Sequence, residues 1–185
     1  MVERLSQYMV KRGIIKEEEQ ELYQFGIRNG VILLLDIVTA LLIGLFTGKL
    51  ALVCVFTISF MVLRSYTNGY HSKSRIFCYI ASNLLLFIPV YTVGVWEKVP
   101  ITIIVTVLMM AVGIILVFSP VDSRTRKMDQ SEKEYFGRKA QVIVLIQILF
   151  MWGMGKNGLS TYAHGVYMGV CITSVLMIIE KCIIK

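Results

Sequence analysis

The 185-residue chain lacks the marks of most familiar catalytic classes. It contains no H-E-x-x-H for a metalloprotease, no G-x-S-x-G, no phosphate loop and no pair of aspartates within its apolar runs. Its four cysteines, Cys54, Cys78, Cys171 and Cys182, show no paired spacing, which argues against a disulfide framework and against a zinc site. Three of them fall inside or at the end of apolar segments, where a free thiol behaves as a small hydrophobe. Only two histidines are present, His71 and His164. The first thirty residues are too dense in charge, with Glu17, Glu18, Glu19 and Glu21, to supply the apolar core of a cleaved signal, so none is expected. No cofactor and no metal is indicated.

What the chain has is apolar length. Hydrophobic residues make up 56% of it and its mean hydropathy is +0.71, outside the range of soluble domains of this size. It reads as a membrane protein. The net charge of +7 does not point to nucleic acid, because the basic residues sit in short breaks between apolar runs and form no stripe on a soluble face. Anionic lipid headgroups and acidic peptides fit that charge better.

Apolar runs occur at 31–47, 50–66, 76–95, 101–118, 140–155 and 159–179. A full helical crossing takes about 20 residues, so the expectation is an all-α polytopic protein with about six transmembrane helices, the second and fifth short or re-entrant. Lys and Arg provide an independent check, because cytoplasmic loops are enriched in them. The segments outside the runs carry 5, 1, 3, 1, 6, 1 and 2 of the 19 basic residues in chain order. High and low values alternate throughout. This places both termini, the 64–75 loop and the 120–139 loop in the cytoplasm of a multi-pass protein of the cell membrane.

Residues 1–30 read as one or two interfacial amphipathic helices broken at Gly13, since Leu5, Tyr8 and Met9 share one face and Leu22 and Phe25 another. They are expected either to lie on the membrane or to receive an amphipathic partner. With the bundle at 31–185 they form one membrane-embedded domain, 1–185. Asp36 is the single acid within the runs, and the cost of burying it predicts a place in the bundle interior beside a polar partner. His164, at the start of the last run and on the side opposite Cys78, is expected at the membrane interface.

The stretch RSYTNGYHSKSRIFCYI, residues 64–80, concentrates reactive side chains where one run ends and the next begins. Asn68 and Gly69 both tolerate positive φ, so the chain can reverse there. Ser72 or Ser74 can cap a new helix, which puts Cys78 near its start. A helix N-terminus, Arg75 and a nearby histidine all favour a thiolate. If residues 71–78 formed one straight helix, the Cα atoms of His71 and Cys78 would stand about 10.5 Å apart along the axis, too far for a hydrogen bond. A working dyad therefore needs His71 off the helical path, folded back toward Cys78. The plain alternative is a charged hairpin between two membrane helices.

The pattern R-x4-G-x-H-x6-C, here Arg64, Gly69, His71 and Cys78, resembles that of the AgrB membrane cysteine peptidases of Gram-positive peptide quorum sensing. The later SPVDSRTRKM at 119–128, the charged segment at 13–30, the chain length and the number of spans extend the likeness over nearly the whole sequence. The resemblance implies that Cys78 attacks a precursor peptide, called AgrD, which has an amphipathic N-terminus and an acidic C-terminal tail. The tail leaves, and the thioester that remains is captured by an internal Cys or Ser to close a thiolactone or lactone. His71 would be the general base, Arg64 would position substrate or stabilise charge, and Gly69 would permit the turn. Arg124, Arg126 and Lys127 would attract the acidic tail, unless they serve only to fix topology, while Pro120 and Asp122 would shape the turn. The resemblance also allows a homodimer. The competing reading is a non-catalytic peptide exporter or membrane scaffold.

Overall fold

A computed structural model describes residues 2–67, 75–121 and 128–184, apart from the side chains of Arg75, Ile76, Cys78, Ile183 and Ile184. The described residues form helices and short connections, with no strand among them. The helices are α1 (Val2–Lys11), α2 (Gln20–Phe46), α3 (Leu50–Thr67), α4 (Arg75–Trp96), α5 (Ile101–Phe118), α6 (Gln130–Lys156) and α7 (Ser160–Ile184), with a 3-10 turn at Glu17–Glu19. Six of these, α2 to α7, are long and apolar enough to cross a membrane, as the hydropathy pattern requires. The chain separates into two compact units, Met1–Thr39 and Ala40–Lys185.

The first unit is held by polar contacts. The Ser6 side chain is completely buried and receives hydrogen bonds from Gln20 Nε2 at 3.2 Å and Gln24 Nε2 at 2.9 Å. Arg28 and Glu3 form an exposed ion pair at 3.5 Å. The apolar residues that define the amphipathic faces, among them Leu5, Tyr8, Leu22 and Phe25, point outward. Gly13 does break the chain, adopting φ +70 after α1. The second amphipathic piece is no separate helix, however: residues 20–30 run without interruption into the first apolar run as α2. The reason is local, because Gln20 to Gly30 contains no proline, and the change from polar to apolar surface does not break backbone hydrogen bonding. Asp36 is half-buried on this helix.

In the second unit α7 is the central element, its apolar window 61% buried against 11–39% for the other five. Small residues bring α3 against it. A Cβ on Gly169 would stand 2.7 Å from Ser59 Oγ, and one on Gly165 would stand 3.3 Å from the Leu52 carbonyl oxygen, so a side chain at either position would make its neighbours on α3 give way. Leu63, Leu108, Ile115, Val144, Val170 and Met177 fill the space between α3, α5, α6 and α7. Gln147 on α6 donates to the Ser59 carbonyl at 2.8 Å, a buried polar tie across the same interface.

The fifth apolar run is not short. It is part of α6, a continuous 27-residue helix that begins ten residues before the run. The Asp129 amide donates to the Glu132 carboxylate at 3.4 Å, a helix-start arrangement that lets the charged residues 130–139 join the helix. The second run forms α3, an unbroken helix of 18 residues and hence about 27 Å. Each is one unbroken helix.

Candidate functional site

The second unit has two dissimilar ends. At one, the connections between α2 and α3, α4 and α5, and α6 and α7 are three or four residues long. His164 lies here, completely buried, its Nε2 3.0 Å from Thr92 Oγ1 and its ring 4.8 Å from that of Trp96. The expectation of an interfacial His164 is thus corrected: Thr92 and Trp96 on α4 enclose it. Its distance from Cys78 follows from helix geometry, since the 14 residues from Thr92 back to Cys78 span about 21 Å of α4. His164 is no partner for that thiol.

The other end collects the C-termini of α3, α5 and α7 and the N-termini of α4 and α6. It is the end to which the sequence assigns the reactive stretch. Arg64 lies on the last turn of α3, its guanidinium carbon 5.4 Å from the centre of the Phe60 ring. Tyr66 packs on Phe136 of α6 with ring centroids 6.1 Å apart. The Val121 amide, just after α5, donates to the Thr67 carbonyl at 3.1 Å, and Gly137 of α6 leaves room for Ser119 and Pro120. Pro120 thus shapes the turn after α5, as expected from the sequence.

α4 starts at Arg75, which makes Cys78 its fourth residue. The amides of a first turn have no carbonyl partner within their own helix, so they present partial positive charge to groups at that end. Cys78 is thus helical in its backbone, and the expectation that it stands at a helix start depends on residues that precede Arg75. His71, Asn68, Gly69, Ser72 and Ser74 lie outside the described residues, as do Asp122, Arg124, Arg126 and Lys127. Cys54 and Cys171 are half-buried free thiols, and Cys182 is an exposed one.

Three polar groups buried at this end, Thr67 Oγ1, Ser119 Oγ and the carboxylate of Glu180, have no hydrogen-bond partner among the described residues. Sequence reasoning missed Glu180, which lies one residue beyond the last apolar run and beside Lys181, where an acid reads as part of a solvated helix end. The signal that finds it is spacing. Thr173, Met177 and Glu180 follow one another at four and three residues, which puts the acid on the face of α7 that is already buried.

Six apolar helices, of which α3, α4, α5 and α6 pack on a buried α7, define a polytopic α-helical membrane protein, with a candidate thiol site at the end of the bundle where the described part of α4 begins. The family model described as Accessory gene regulator B matches residues 2–179, and the chain belongs to that family. It is similar to the Accessory gene regulator protein B of Staphylococcus saprophyticus subsp. saprophyticus, 27% identical over 119 residues. That match covers 64% of this chain and 60% of the relative's length, so the chain spans less than two thirds of the protein it resembles. No solved structure matches it.

Proposed function

We propose that the protein is an integral-membrane cysteine endopeptidase that matures a quorum-sensing peptide precursor at the end of the bundle where α4 begins. The observation that supports this reading is the match of the chain to the Accessory gene regulator B family, with Cys78 fourth in the described part of α4. A thiol there gains from the unpaired amides of the helix start, which favour the thiolate over the thiol.

In the proposed reaction His71 takes the Cys78 proton, and the thiolate attacks the peptide carbonyl at the junction with the acidic tail. The negative charge of the tetrahedral intermediate falls near the free amides of the α4 start, which supply an oxyanion site without a dedicated side chain. The proton returns to the leaving amine, the tail departs, and an acyl thioester remains on Cys78. An internal Cys or Ser of the precursor then displaces Cys78 and closes the ring. Exchange of one thioester for another changes free energy little, so ring closure needs no further energy source as long as water is kept out.

Arg64, Arg75, Arg124, Arg126 and Lys127 make the electropositive surface that draws an acidic tail to a cytoplasmic site. Anionic lipids occupy the surroundings. The test is cleavage of the precursor encoded by a neighbouring short open reading frame, using protein reconstituted in lipid vesicles. Cys78→Ala and His71→Ala should fold and be inactive. Full cleavage by Cys78→Ala would leave the exporter or scaffold reading in its place.

A further inference from the structure

Aromatic rings and lysines mark both ends of the apolar part of α6. Lys139 Nζ lies 5.4 Å from the centre of the Tyr135 ring, and Lys156 Nζ lies 5.2 Å from that of Trp152. Each lysine reaches back four residues to its ring, so the two charges are separated by the 17 residues from Tyr135 to Trp152, about 26 Å along the helix. Between the pairs, Val142, Leu145, Ile146, Leu149 and Phe150 form an exposed apolar surface. Amphipathic rings and lysine stems collect where headgroups meet acyl chains, because one end of each is apolar and the other is wet. The two pairs therefore bound an acyl layer, and lipid is the occupant of the surface between them.

Two other spans give nearly the same thickness. α3 and α5 have 18 residues each, about 27 Å. α3 follows directly on Lys49, whose Nζ donates to the Val90 carbonyl at 2.6 Å, and it carries Arg64 in its last turn. α5 ends at Phe118, and Lys181 Nζ stands 3.4 Å from the centre of that ring. A layer thicker than these spans would draw the cations among acyl chains, and tilting the spans would only lower the thickness they fill. α4 is longer, with 22 residues, but a long helix fits a thin layer by tilting. α7 is the buried centre of the bundle, so its length does not set the limit at the lipid boundary.

We propose that the second unit is built for a bilayer whose acyl layer is about 26 Å thick, against about 30 Å for an ordinary one, and that it thins a thicker membrane around itself. The partner is short-chain phospholipid in the shell that touches α3, α5 and α6. Compression of the acyl chains is shared among many lipids, whereas the cost of immersing a lysine falls on one group, so the membrane yields before the helix ends do. This goes beyond the peptidase reading and does not rest on it.

The full chain in vesicles of phosphatidylcholine with a fixed share of phosphatidylglycerol, the monounsaturated acyl chains running from about 14 to about 22 carbons, tests this. The melting temperature should peak in the lipid whose acyl layer is nearest about 26 Å and fall by at least about 5 °C in the thickest. Equal melting in every lipid, or a maximum in the thickest, would overturn the proposal. Depth is read separately. Trp96→Phe leaves Trp152 as the only tryptophan, and lipids brominated at different chain positions report its level. Bromine beside the headgroup should quench it most in every lipid, because the membrane adapts to the protein; strongest quenching from the bilayer centre in the thickest lipid would contradict the thinning. Adding Lys156→Leu should remove the charge at that boundary and let Trp152 move toward the centre, and an unmoved Trp152 would overturn the boundary. If Trp96→Phe does not fold, the melting series of the unaltered chain decides. No arm reads cleavage, so failure of the peptidase reading leaves this result standing, and the reverse.

Discussion

The two ends of the helical bundle hold their buried polar groups differently. Where α4 ends and α7 begins, the connections are short, and His164 meets the Thr92 hydroxyl through Nε2 and is covered by Trp96, while its Nδ1 has no partner among the described residues. Where α3, α5 and α7 end, the buried Thr67 and Glu180 and the hydroxyl of the half-buried Ser119 have no hydrogen-bond partner among the described residues. A fold normally satisfies its interior polar groups, so the end that leaves two hydroxyls and a whole carboxylate without partners carries the larger unmet polar demand, and the backbone of Cys78 lies at that end.

The sharpest way to break this contrast is at the reactive end. Cys78→Ala and His71→Ala should each reduce precursor cleavage by about 10³-fold or more, with elution and melting of the purified protein unchanged. Between the ends, Gly169→Val should cost about 1–3 kcal/mol, because its Cβ alone would meet Ser59 Oγ at 2.7 Å; a thermal melt in detergent reads the loss. At the end that holds His164, Thr92→Val should cost about 0.6–1.7 kcal/mol in the same melt, as expected for one interhelical hydrogen bond in a membrane protein, and leave kcat within about twofold. The smallest effect belongs to the first unit: Glu3→Gln removes an exposed ion pair and should shift stability by no more than about 0.5 kcal/mol, read as a melting temperature within error.

Much of this architecture was legible beforehand because hydropathy and helix length are coupled in a bilayer, which is why the six apolar runs became six long helices. The places where the reading fell short share one cause. Hydropathy marks where a helix is apolar and says little about where it starts, so residues 20–30 and 130–139 looked like loops or separate pieces although they continue α2 and α6. Burial of single polar residues was also hidden. His164 and Glu180 stand at the margins of the last apolar run, and only the packing of α7 among α3, α4, α5 and α6 puts both inside. For the candidate site, turn residues and spacing single out Cys78 and His71, whereas the burial of Glu180 is visible only in the packing of α7.

The most direct measurement looks for the acyl-enzyme itself. Vesicle-reconstituted protein is mixed with precursor, quenched in acid within the first turnover, digested and analysed by mass spectrometry. The account predicts a hydroxylamine-sensitive adduct, with the mass of the tail-less precursor, on the peptide that carries Cys78 and on none carrying Cys54, Cys171 or Cys182. Cleavage that proceeds with Cys78 unmodified, or an adduct on another cysteine, would contradict it.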